Sequence, residues 1–83
     1  MQYRFSSRGK DDLLSLEPHS RRRVFEKLEF FFSQKNPIVF AKKLSNFPYG
    51  TYRFRIGKVR VIFVVEDDIA TITRIRFRSE AYR

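Results

Sequence analysis

The chain has no cysteine and one histidine, His19. Without cysteine there is no disulfide, no thiolate metal site and no cysteine nucleophile, which agrees with a reducing compartment. One imidazole cannot form a histidine metal cluster. No run is apolar for long enough to span a bilayer, and the opening MQYRFSSRGK lacks the apolar region of a secretory signal. The expectation is a cytoplasmic protein with no membrane partner. Glycine-rich phosphate loops, carboxylate clusters and nucleophile motifs are also missing, so no metal and no small-molecule cofactor is implied. Acidic residues are few. Nine Asp and Glu stand against 18 Lys and Arg, a net charge of +9 that favours nucleic acid, acidic protein or an anionic surface as partner.

Aromatic residues are plentiful. Ten Phe and four Tyr argue against a disordered basic tail and for a folded unit. Eighty-three residues suffice for one core, so the expectation is a single domain spanning 1–83.

The segment TYRFRIGKVR, Thr51 to Arg60, alternates strictly. Tyr52, Phe54 and Ile56 face one side of a strand, Arg53 and Arg55 the other. Gly57-Lys58 reads as a two-residue hairpin turn, which pairs Ile56 with Val59 and Arg55 with Arg60. Like charges placed opposite each other cost stability, up to roughly 1 kcal/mol, and folding does not call for them. A polyanionic ligand would.

A third strand, Ile69 to Arg78, carries Arg74, Arg76 and Arg78 at spacing two. A two-residue Asp67-Asp68 loop without further irregularity would turn these three arginines into the core, where unpaired charge is too costly. A three-residue loop of Glu66, Asp67 and Asp68 pairs Val65 with Ile69 and sets Arg60 opposite Arg74. The reading is therefore an odd-length loop or an equivalent bulge, with Phe54, Val61, Phe63, Ile75 and Phe77 covered and the arginines on an open cationic face.

Upstream, Gln2 to Ser6 reads as a short strand and Ser6-Ser7 as a helix cap. A first helix with Leu13, Leu14 and Leu16 is stopped by Pro18. Ser20 caps a second helix to about Gln34, with Val24, Leu28, Phe31 and Phe32 at helical spacing. Phe30, Phe31 and Phe32 cannot all face one core, so at least one is exposed or covered by a partner. A helical turn through Phe40, Ala41 and Leu44 and a loop from Asn46 to Gly50 lead to the strands. The fold class expected is α+β, in the order β-α-α-β-β-β. A helical hairpin covers one face of a small, mostly antiparallel sheet with the first strand at an edge, and the other face is left basic and open.

KDDLLSL, RRRVFEKLEFF, NPIVFAKKL, GTYRFRIGKVRVIFVVEDD and the ending RFRSEAYR together resemble the RelE/ParE superfamily of toxins from toxin–antitoxin systems. The resemblance implies a RelE-type, metal-independent endoribonuclease that cuts mRNA on the ribosome by 2′-hydroxyl attack. It also implies a cognate RelB-like antitoxin that wraps an acidic or amphipathic segment around the toxin. On the same grounds Arg53, Arg55 and Arg60 hold the scissile phosphate, Arg76 takes the leaving-group position and Tyr82 orients the base. Arg78, Lys58 and Arg83 add contacts to RNA. Phe77 stands where many members carry histidine, and arginine replaces some lysines. Because arginine keeps its proton, these groups suit clamping better than base catalysis, leaving Glu80 and Tyr82 to move protons. Arg74 and the Arg21-Arg22-Arg23 run are read as solvated surface, Tyr49 as a residue that covers the sheet edge, and His19 has no assigned role. The alternatives are a ParE-like gyrase inhibitor that cuts nothing and an inactive RNA-binding relic.

Overall fold

The first strand, β1 (Gln2–Phe5), alternates exposed and half-buried residues, as an edge strand with one covered face should. The structure, a computed structural model, describes residues 1–48 and 50–77. Ser6 caps α1 (Ser7–Ser15) by accepting from the Gly9 amide at 3.0 Å, as expected. Pro18 does more than follow this helix: it occupies the first turn of α2 (Pro18–Ser33). There its fixed φ suits the helix and its missing N–H costs nothing. The cap is accordingly Glu17 rather than Ser20, with Oε1 accepting from the Ser20 amide at 2.7 Å. A 3₁₀ turn, Pro37–Phe40, and a two-residue strand, β2 (Lys42–Lys43), fill the stretch expected to be helical.

The remaining strands are β3 (Thr51–Ile56), β4 (Val59–Glu66) and β5 (Ile69–Phe77), and the sheet order is β1-β5-β4-β3-β2. All neighbours are antiparallel except β1, which runs parallel to β5 at the edge. Val24, Leu28 and Phe32 of α2, with Leu16, bury against Phe54, Val61, Phe63, Ile72 and Ile75 of the sheet. Each such side chain contributes roughly 1.5–3 kcal/mol when fully buried. Aromatic rings lie at the centre: Phe54 and Phe63 are 4.5 Å apart, and Phe31 lies 4.4 Å from Phe54. Of the three consecutive phenylalanines, Phe32 is buried and Phe30 is half exposed, at 50%.

The first hairpin has the expected register, with Gly57 at φ 60° beginning the turn. The second differs from the three-residue loop. Asp67 and Asp68 alone form it, both at positive φ, and Glu66 pairs with Ile69. The compensating irregularity is a bulge: Phe63 pairs with Ile72 and Ile62 with Arg74, so Thr73 has no opposite number. This one extra residue keeps Ala70 and Ile72 on the covered face before it and Ile75 after it. Arg74 and Arg76 are thereby turned outward.

Past Phe5, β1 no longer flanks β5, and α1 closes that edge. The Ser6 amide donates to the Ile72 carbonyl at 2.9 Å. Gly9 lies so close that a Cβ there would stand 2.1 Å from the same oxygen.

Candidate anion-binding face

Two rows of cations cross the face opposite the core. Arg55, Arg60 and Arg76 occupy one row, on β3, β4 and β5. Lys42, Arg53, Ile62 and Arg74 occupy the next, on β2, β3, β4 and β5. Strands are about 4.8 Å apart and same-face neighbours along a strand about 7 Å apart, so six cationic side chains share a patch on the order of 15 Å across. Arg60 faces Arg76, where the sequence placed Arg74, because the shorter Asp67-Asp68 loop and the extra Thr73 each shift the register by one.

The rows are graded in depth. Arg55 is exposed, Arg53, Arg74 and Arg76 are half-buried, and Arg60, on the central strand, is 2% exposed. The expected open platform therefore has a buried guanidinium at its middle. The Nε–H of Arg53 is buried and meets no acceptor among the described residues. A donor in that state favours an incoming anion. Arg74 is not a solvated surface group: its Nε donates to Asp12 Oδ2 at 3.0 Å. The same oxygen accepts from the Ile75 amide at 2.9 Å.

Lys58 sits exposed at the hairpin tip beyond the Arg55 row. Behind the tip, Arg23 packs over Gly57, so the arginine run opening α2 is not wholly solvated. Lys42 and Asp12 are the members of this region that the sequence did not reveal. Lys42 lies on a strand too short to alternate, and Asp12 meets β5 only through tertiary structure. Tyr49, Arg78, Glu80, Tyr82 and Arg83 lie outside the described residues. Among the described residues no group of His, Asp and Glu could hold a metal ion, and no helix is long and apolar enough to cross a membrane.

Solved structures share this fold. The toxin–antitoxin complex RelBE2 of Mycobacterium tuberculosis matches at TM-score 0.78 and 26% identity, covering 93% of this chain and 96% of the matched one. The RelB–RelE complex of Methanococcus jannaschii matches at 0.76 and 22%, covering 94% and 93%. The isolated RelE toxin of E. coli matches at 0.70 and 22%, covering 98% and 89%. Comparison with curated proteins gives no match. The family model for the ParE toxin of type II toxin–antitoxin systems, parDE, matches residues 3–82. The chain thus belongs to the ParE toxin family, within the RelE/ParE superfamily of type II toxins.

Proposed function

We propose that this toxin is a RelE-type endoribonuclease that cuts mRNA within the ribosome. The supporting observation is the cross-strand row Arg55, Arg60 and Arg76, flanked by Lys42, Arg53 and Arg74. Self-repulsion in such a row is relieved when phosphate enters it. In the reaction, a ribose 2′-oxygen attacks the adjacent phosphorus and the bond to the 5′-oxygen breaks, leaving a 2′,3′-cyclic phosphate and a free 5′-hydroxyl. Charge builds on the phosphoryl oxygens in the transition state. Fixed guanidinium groups around them stabilise that charge without reorganising.

Arginine stays protonated at physiological pH, so Arg53, Arg55 and Arg60 act as clamps. Arg76 takes the leaving-oxygen side of the row. Tyr82 orients the base, and Arg78, Lys58 and Arg83 extend the RNA contacts. Glu80, Tyr82 and the ribosome remain as proton carriers. A RelB-like antitoxin holds the toxin inactive, in keeping with the RelB–RelE complexes of its structural relatives and with a +9 chain that attracts an acidic segment.

A second reading, a gyrase inhibitor without nuclease activity, is favoured by the match to the ParE family model. One experiment separates them: mRNA 5′-end mapping after brief induction, with wild type beside Arg60→Ala and a plasmid supercoiling assay alongside. The nuclease reading expects new cuts inside translated regions, lost in the variant. Intact transcripts with altered supercoiling would replace it with the second reading.

A further inference from the structure

Among the described residues, the C-terminal half of β5 has a strand neighbour on one side only. On the β4 side it pairs as far as Phe77, but on the other side β1 stops opposite Ile72. Between α1 and this half-strand lies a recess of about 260 Å³, lined by Asp12, Ser15, Leu16, Ile75, Arg76 and Phe77. Its β5 lining begins two residues past Thr73, where the ladder is already broken. A one-residue slip at that point would carry Arg74 and Arg76 to the core face. Asp12 Oδ2 takes the Ile75 amide at 2.9 Å and the Arg74 Nε at 3.0 Å. Those two donors belong to consecutive residues pointing in different directions, so one carboxylate meets both in a single register.

We propose that Asp12 is a positioning residue for the arginine face: it replaces the missing strand at the edge of β5, locks the register beyond the bulge and so holds Arg76 opposite Arg60. Its link to catalysis rests on the nuclease reading above; the lock itself does not. Asp12 touches neither phosphate nor ribose.

The test uses the full chain and two readouts. The first is amide hydrogen exchange at Ile75, followed by NMR. Asp12→Ala should speed exchange there by about ten-fold or more, Asp12→Asn should restore most of the protection through its amide oxygen, and Arg74→Met should leave it intact. The second is RNA cleavage on programmed ribosomes. Asp12→Ala should lower kcat by roughly ten- to a hundred-fold with KM little changed, Asp12→Asn should recover most of it, and Asp12→Ala should add nothing in an Arg76→Ala background. Unchanged exchange in Asp12→Ala overturns the lock, as does an Asp12→Asn variant no better protected than the alanine. If Asp12→Ala does not fold, the Asp12→Asn and Arg74→Met exchange rates decide. If the wild type cuts no RNA, the nuclease reading falls and the exchange result alone decides the lock.

Discussion

Arg60 and Arg76 stand directly opposite each other on antiparallel neighbours, and Arg55 faces Arg60 from the other side. Three like charges abreast repel one another and concentrate the field where an anion would enter.

Arg55 is the exposed end of that row, so replacing it relieves repulsion without opening the core. Arg55→Thr should raise stability slightly, by up to about 0.5 kcal/mol at low salt, and the gain should shrink as salt is added. On the nuclease reading, RNA cleavage should fall at least about ten-fold. Urea unfolding at two ionic strengths, run beside the cleavage assay, checks both parts. Arg60→Met is the matching change at the centre: it keeps much of the length of a side chain that is 2% exposed and, on the nuclease reading, should abolish cleavage.

Gly9 is required by proximity. An added methyl would stand 2.1 Å from the Ile72 carbonyl oxygen, so α1 must move off the β5 edge to admit it. Gly9→Ala should cost about 1–3 kcal/mol despite alanine's better helix propensity. A lower denaturant midpoint with an unchanged slope is the expected result.

The second hairpin holds two aspartates in left-handed backbone, Asp67 at φ 54° and Asp68 at φ 62°. Asn-Gly suits that geometry better. The double replacement of Asp67 by Asn and Asp68 by Gly should stabilise by roughly 0.5–1 kcal/mol, read as a higher thermal midpoint with β5 in the same register.

Burial, and then the Glu29 carboxylate that its hydroxyl meets at 3.2 Å, push the Tyr3 phenol up to about 12. From pH 10 to 12 the unfolded chain therefore gives up this proton while the folded chain keeps it. Stability contributed by Tyr3 is full below pH 10 and is lost as pH rises through that window. Tyr3→Phe should remove this component, leaving a shallower decline from pH 10 to 12 when the two unfolding curves are compared.

Much of the fold was legible where one local rule decided it. Strict alternation with Gly57 at the tip fixed the first hairpin, and the apolar spacing of Val24, Leu28 and Phe32 fixed α2. The register of β5 was harder to read because keeping its arginines out of the core needed either an odd-length loop or a bulge, and no local rule chose between the two. A signal was nevertheless present: Ile72 and Ile75 are three apart, and a regular strand cannot turn both inward. For α2, Pro18 at the first helical position pointed to Glu17 as the cap. In the candidate site, Arg53, Arg55 and Arg60 were legible from alternation, whereas Lys42 was not, since two consecutive lysines carry no period. Asp12 lies 62 and 63 positions from its two donors, and nothing in KDDLLSL distinguishes it from Asp11.

The unpaired Thr73 also bears on how this gene can change. Dropping that codon joins Ile72 to Arg74 and leaves a regular strand with Ala70, Ile72, Ile75 and Phe77 on one side and Thr71, Arg74 and Arg76 on the other. Dropping the codon for Thr71 instead would set Ile72 outward. Loss of Thr73 is thus an in-frame deletion that keeps both the core and the cationic face, whereas loss of Thr71 is not.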